Sequence, residues 1–407
     1  MSRTRRYQTS LVVLALLLIP GALLVAALGS GPPAARAAGP AIKIGFLAPY
    51  VGVYAKPGKD MDNGFRLYLD EIKFQAAGRE IQLLAEETEA KADVGLTKAR
   101  KLVERDQVHL LAGIIHSGVA YAVRGYVETN KIPLVITNAG AARLTAQDRS
   151  PYILRVSFAN GQQDLAGGWY AYEKAGIRRA ILMFPDYSAG EEKAQGFSKT
   201  FKAAGGQVVA EIRPPLGTPD FAPFLAQVSA KIGTADAVWA FFAGSDAVRF
   251  VRQYAEYGLK ERVKLFVLGD TVDDSFLPAM GDAALGILNY LHYAITVETP
   301  ENKKFVAAYR KKHNEDPSMF SEQGYVGARV IVEAIKAVEG NAEDREKLLA
   351  ALRQVKFEAP RGPFRFDKLQ NVIEPVYIRR VDKVGGKLVN VVTDMIPEVD
   401  QSWTPKK

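Results

Sequence analysis

Short apolar runs and longer amphipathic spans alternate through most of this chain. Residues 41–48 (AIKIGFLA) read as a strand and residues 49–58 as a loop rich in Tyr, Gly and Pro. Residues 60–73 read as a helix, with Phe65, Leu69 and Ile72 at core spacing. A strand at 80–86 and a helix at 92–105 follow, the helix turning Leu96, Ala99, Leu102 and Val103 inward. The pattern repeats as strand 110–115, helix 120–130 and strand 134–137, with Val123, Tyr126 and Val127 on one helical face. Alternation with connections this short implies parallel strands covered by helices.

A second block begins after Pro151. Strand 152–156 runs into a small-residue segment at 157–161, and then helices (163–174, 189–204, 221–232, 245–257) interleave with strands (179–184, 207–213, 237–242, 265–268). Beyond Gly286 come a strand at 287–295, helices at 303–312, 321–338 and 345–354, and alternating short strands within 362–391. A chain of 407 residues exceeds what one hydrophobic core usually serves, so two α/β units are expected. The stretch 110–145 stands at the centre of the first unit. Its two turns, His116-Ser117-Gly118 and Asn138-Ala139-Gly140-Ala141, each follow a strand, at the carboxyl edge where open α/β sheets bind ligands.

The N-terminus reads as a secretory signal peptide spanning 1–37. Arg3, Arg5 and Arg6 precede an apolar run at 11–28, and Ala35-Arg36-Ala37 offers a cleavage site. The alternative is an uncleaved anchor, since the run approaches membrane-spanning length. Four arginines and no acids lie in these 37 residues, so the formal charge of +8 falls to about +4 beyond them. Lysines and arginines are otherwise interspersed with acids on helical faces, which argues against a nucleic-acid partner. The chain has no cysteine, so it has no disulfide, catalytic thiol or lipid-bearing cysteine. An exported, cysteine-free chain fits the periplasm.

Several short motifs stand in a set order and spacing. They are the strand at 42–48 followed by Gly52 and Asn63-Gly64, then Gly113 through Ser117-Gly118, and Lys131-Ile132-Pro133-Leu134-Val135. Further on come Pro185-Asp186-Tyr187 with Gly190 and Gly196-Phe197, and Gly258-Leu259 with Gly269 and Gly281. Gln323-Gly324-Tyr325 with Ala334-Ile335, and Gly362-Pro363-Phe364-Arg365-Phe366-Asp367, complete the set. In this order, over nearly all of 41–400, the chain resembles the type I periplasmic binding proteins of the Leu/Ile/Val-binding kind, the solute receptors of ABC importers.

The resemblance implies an α/β fold of two Rossmann-like three-layer lobes joined by three hinge crossings, near 157–161, 286–293 and 366–370. Lobe 1 would comprise 41–157 and 290–366, and lobe 2 would comprise 158–289 and 367–400. It also implies a monomer that traps a small-molecule carboxylate by hinge closure and delivers it to an ABC permease in the inner membrane, without a cofactor.

On the family pattern, Ser117 bonds the ligand carboxylate; as a residue it equally suits a helix cap. His116 can donate to an anion or cap. Asn138, Ala139 and Gly140 would line the second loop. Asp270 lies at the position of the acid that pairs with a ligand ammonium, or it accepts from a phenol. Tyr50, Tyr54, Tyr187 and Tyr293 are candidates to stack on a ring. Arg155 and Arg249 suit salt bridges better than ligand binding. Ala141, Ala189 and the Ala243-Gly244 pair are smaller than the family pattern, which points to a roomier pocket and an aromatic acid. A branched-chain or aromatic amino acid is the alternative ligand, and a ligand-sensing partner of a membrane signalling receptor is the alternative role.

Enzyme readings find little support. The segment 52–59 (GVYAKPGK) has five residues between its glycines where a phosphate loop has four, and Asp60 stands where that loop needs Ser or Thr. The histidines at 109, 116, 292 and 313 lack metal-ligand spacing.

Overall fold

The computed structural model describes residues 39–405, so the expected signal peptide lies outside the described residues. Six strands form the first sheet: β1 (Ile42–Ala48), β2 (Gln75–Ala76), β3 (Arg79–Glu87), β4 (Leu110–Gly113), β5 (Leu134–Ile136) and β6 (Ile153–Arg155). Their order is β2-β3-β1-β4-β5-β6, and all neighbours are parallel except β2 and β3. The period-2 geometry of the strands sorts their side chains into two cores. Ile44, Phe46, Leu110, Ala112 and Val135 enter one, while Leu47, Leu111, Leu134 and Ile136 enter the other. Helices cover both faces, giving three layers.

The second sheet has nine strands: β7 (Arg179–Met183), β8 (Gln207–Ile212), β9 (Ala237–Ala240), β10 (Lys264–Leu268), β11 (Leu288–Leu291), β12 (Lys356–Ala359), β13 (Gly362–Phe366), β14 (Val372–Val384) and β15 (Lys387–Val399). Strands β7 to β11 are parallel, and β11 joins β14 antiparallel. The fold is therefore α/β with two mixed sheets.

Several elements differ from the sequence pattern for identifiable reasons. The loop expected at 49–58 is a 3-10 turn, Gly52–Tyr54, and then the start of the helix Ala55–Glu71. Pro57 is tolerated there because the first helical turn needs no N–H from it. The helix expected at 92–105 changes at Arg100 into a π-turn, Lys101–Arg105. The short strands expected at 362–391 are instead dominated by a hairpin of two 13-residue strands. Gly385 and Gly386 join them with φ of 57° and 79°, a tight hairpin turn that suits glycine. Pro375 has no donor for the ladder, and the register of β14 shifts between Glu374 and Val376 to pass it.

The helix Met319–Ala337 packs on Ala55–Glu71 through glycines. A Cβ on Gly64 would lie 1.8 Å from the Ser321 carbonyl, and one on Gly324 would lie 2.0 Å from that of Met61. The chain passes from the first sheet to the second after β6, and the helices Pro300–His313, Met319–Ala337 and Arg345–Gln354 lie between β11 and β12 of the second sheet. Arg361, fully buried, ties the end of β6 to Met319–Ala337 and to β14. Its Nε donates to Glu322 Oε1 at 2.9 Å, and its Nη1 donates to Glu374 Oε2 at 3.0 Å and to the Val156 carbonyl at 3.1 Å. Arg155 is also structural, donating to Asn371 Oδ1 at 2.8 Å and to the carbonyls of Gly140 and Ala141.

Candidate functional site

The carboxyl ends of both sheets converge on one small pocket. From the first sheet come Tyr54 after β1, Ile115 and Ser117 after β4, Asn138 and Gly140 after β5, and Phe158 and Asn160 after β6. From the second come Tyr187, Ala189 and Lys193 after β7, Phe241 and Ala243 after β9, and Asp270 after β10. Phe320, near the start of Met319–Ala337, completes the lining.

Ser117 does not cap its helix. The helix starts at Ser117 itself, with His116 as the N-cap residue and no side-chain capping bond. The hydroxyl accepts from Asn160 Nδ2 at 3.1 Å, which leaves its own proton free for a ligand. Asn160 Nδ2 also donates to Glu192 Oε2 at 2.7 Å. That carboxylate, on the helix Ser188–Ala203, further accepts from the Ala142 N–H at 3.2 Å and from the Tyr121 hydroxyl. The Val119 and Ala120 N–H groups of the Ser117–Thr129 helix donate to the His116 carbonyl, and the helix dipole favours an anion at this end.

His116 stacks on Tyr187 with ring centroids 5.1 Å apart. Burial pushes its pKa down to about 4, so it is neutral at pH 7 and supplies no positive charge to an anion. Tyr54 and Tyr187 join their hydroxyls at 2.7 Å across the pocket. Asn138 lines the pocket and donates to Gln323 Oε1 at 2.7 Å. The Gly140 carbonyl is taken by Arg155 and by the Asn160 N–H.

Five of the expected residues lie off the lining, His116 among them. The Ala139 N–H donates to the Ile114 carbonyl within the loop. Gly244 abuts the Val53 carbonyl, which a Cβ would meet at 2.0 Å. Tyr50 is tied to Glu87 through its backbone, and Tyr293 is buried against Phe305. Arg249 bonds to Asp246 and to the Thr218 carbonyl.

Lys193 is the main residue that sequence reasoning missed. It is 3% exposed, and its ammonium lies 4.3 Å from the Phe158 ring centre and 4.7 Å from that of Phe241. Among the described residues no carboxylate forms a salt bridge with it; Asp164 and Asp270 only feel its charge at longer range. A signal was present, because Lys193 interrupts the buried stripe Ala189, Ala194, Phe197 and Phe201 of its helix. Asp270 is 4% exposed, its Oδ2 has no hydrogen-bond partner, and burial raises its pKa.

The pocket is tightly closed. It leaves about 20 Å³ for the centre of a water-sized sphere, room for about one water. The roominess expected from Ala189 and Ala243 is taken up by the aromatic side chains between the sheets. A hollow of about 840 Å³ by the same measure lies elsewhere, but its charges are exposed and mutually paired, as in Lys383–Asp282 and Arg310–Asp316. Among the described residues, no group of three or more His, Cys, Asp or Glu is placed to hold a metal.

A pocket lined from two α/β sheets by donors, one buried ammonium and several rings suits a small-molecule binding protein. The periplasmic binding protein family model matches residues 41–387. The Leu/Ile/Val-binding protein homolog 6 of Brucella melitensis is 32% identical over 349 residues, covering 84% of this chain and 88% of its own length. An ABC transporter substrate-binding protein from Sphaerobacter thermophilus is 41% identical with a TM-score of 0.84, covering 88% of this chain and 99% of that one. A solute-binding protein of an ABC transporter from Rhodopseudomonas palustris BisB5, in complex with 3,4-dihydroxy benzoic acid, is 35% identical with a TM-score of 0.85, covering 89% and 99%.

The chain belongs to the periplasmic binding protein family, as a solute-binding protein of an ABC transporter and not an enzyme. Members of this family bind small molecules and work with ABC permeases. No described helix is long and apolar enough to cross a membrane.

Proposed function

We propose that this protein is the periplasmic receptor of an ABC importer for a small aromatic carboxylate. The observation that carries the reading is Lys193, a buried ammonium without a salt-bridge partner, set between aromatic rings and opposite the Ser117 hydroxyl wall. A carboxylate would neutralise the ammonium and take the free Ser117 proton, and a flat ring would fit among Phe158, Phe241 and Phe320. Related solute-binding proteins from R. palustris were solved with benzoate and with p-hydroxybenzoic acid, which supports the same ligand class here.

Entry requires the walls to part, because the closed pocket has no room for a ring. We assign that motion to hinges near 157–161, 286–293 and 366–370, between a lobe of 41–157 with 290–366 and a lobe of 158–289 with 367–400. Export through the N-terminal signal peptide, action as a monomer and delivery to an inner-membrane permease complete the proposal. A branched-chain amino acid is the second reading, favoured by the acid at Asp270, which suits an ammonium.

Thermal-shift screening of refolded, ligand-stripped protein tests the assignment. A ligand at a hundredfold excess over its Kd adds about 2.7 kcal/mol of apparent stability. Benzoate-type acids should raise the melting temperature and leucine should not. The opposite outcome would replace the aromatic acid by the amino acid.

A further inference from the structure

Asp270 presents a feature that a plain aromatic acid would leave unanswered. It sits in the 3-10 turn Gly269–Val272 after β10 and is almost wholly buried against the pocket. Its Oδ2 has no hydrogen-bond partner. A buried carboxyl oxygen without a partner is expensive, and this one lies in the lining of the pocket, within reach of whatever enters it.

The rest of the pocket limits what that ligand group can be. Lys193 already places one ammonium in the pocket, and its charge reaches Asp270. A second ammonium from a ligand would face like-charge repulsion in a desolvated space. A hydroxyl adds no charge. It donates to a carboxylate and accepts from a carboxylic acid, so it matches Asp270 in either protonation state, whereas an ammonium only donates. The hydroxyls of Tyr54 and Tyr187 also lie in this pocket, but they bond to each other.

We propose that Asp270 is the specificity-determining residue of the pocket, selecting aromatic acids that carry a ring hydroxyl over the unsubstituted acid. This rests on the aromatic-carboxylate reading above and goes one step further. Ser117 and Lys193 hold the carboxylate, the phenylalanines hold the ring, and Asp270 Oδ2 receives the phenol proton.

Isothermal titration of the refolded, ligand-stripped protein tests this with benzoate, 3-hydroxybenzoate, 4-hydroxybenzoate, 4-methoxybenzoate and leucine. At least one hydroxybenzoate should bind about tenfold or more tighter than benzoate, since a site built to bond a hydroxyl rejects the analogue that lacks it. The methoxy compound, which has size but no proton to give, should not share the gain. Asp270→Ala should remove the preference, bringing the hydroxybenzoate and benzoate affinities together. The wild-type comparison stands on its own if that variant fails to fold.

Equal binding of benzoate and both hydroxybenzoates would overturn the role of Asp270 and leave the aromatic-acid reading intact. A preference that survives in Asp270→Ala would overturn it as well. Binding of leucine with none of the benzoates would overturn the broader reading, and this inference with it.

Discussion

Replacing Lys193 by Met should have opposite effects on binding and on stability. The side chain is buried, so Met fills nearly the same space and keeps the apolar stem in contact with Phe158 and Phe241. In the ligand-free protein two cation–ring contacts disappear, each worth about 0.5–2 kcal/mol. Against that, an ammonium no longer has to be desolvated, a penalty of several kcal/mol for a buried ion. Asp164 and Asp270 lose a neighbouring cation, but burial already raises their pKa, that of Asp164 to about 6. Without Lys193 both rise further, which lessens the charge left without a neighbouring cation.

The stability of Lys193→Met should therefore fall by no more than about 1 kcal/mol, and a gain is expected. Binding of an aromatic carboxylate should weaken by about 2–4 kcal/mol, roughly 30- to 700-fold in Kd, because the anion enters a pocket that no longer neutralises it. Calorimetry with benzoate and guanidinium melts measure the two quantities on one preparation. If Lys193→Met kept benzoate affinity within about threefold, the lysine would not be the carboxylate's partner. If it lost more than about 3 kcal/mol of stability, the lysine would be a structural residue.

Other perturbations test other parts of the argument. Ser117→Ala should weaken carboxylate binding by about 1.5–3 kcal/mol while denaturant midpoints barely move, because the hydroxyl proton has no partner inside the protein. Arg361→Met removes the buried cation paired with Glu322 and should cost about 3–5 kcal/mol in urea melts; a loss below 1 would show that Glu322 does not need it. Gly324→Ala should lower the melting temperature through about 1–3 kcal/mol of overpacking against the Met61 carbonyl, and a neutral result would mean the two helices separate freely. Stability should also fall as pH rises from about 5 to 8, since burial raises Glu374 to about 8 and Asp60, Asp164 and Asp274 to about 6. Each such acid stabilises fully below its unfolded pKa and loses that contribution as pH passes its folded pKa; His116, lowered to about 4, works in the opposite direction only up to about 6.5. Of the acids with these values Glu374 is raised furthest, so urea melts of Glu374→Gln should be flatter between about pH 6 and 8, and parallel profiles would contradict its raised pKa.

Most of the fold was legible because strands and helices carry different periods. Residues 42–48, 80–86 and 134–136 differ from their surroundings by apolar density alone, and the structure puts strands there. The boundaries that slipped are those set by hydrogen bonding rather than burial. A helix can begin at Ala55 two residues before a proline, because a first-turn N–H is dispensable, and sequence pattern treats that proline as a break. The hairpin of β14 and β15 was read as short strands because Pro375 and the glycine pair look like repeated interruptions. One is a bulge and the other is the turn itself.

The site was legible where backbone geometry defines it and obscure where packing does. Ser117, Asn138 and Gly140 follow strands at the sheet edge, so topology alone brings them to the pocket. Ala139 follows the same strand as Asn138 and Gly140, yet its N–H closes the loop onto Ile114, so sharing a loop does not make every residue face a ligand. Lys193 belongs to the opposite case. A lysine on a helix is expected at the surface, and only the apolar stripe that continues on both sides of it places it inside. Its partners, Phe158 and Phe241, lie 35 and 48 positions away on separate connections, and no local pattern relates them. A buried lysine left without an acid is therefore the part of this site that needed the folded chain to be seen. It is also the part on which the proposed choice of an anion over a zwitterion rests, because an amino acid brings its own ammonium and gains little from a second.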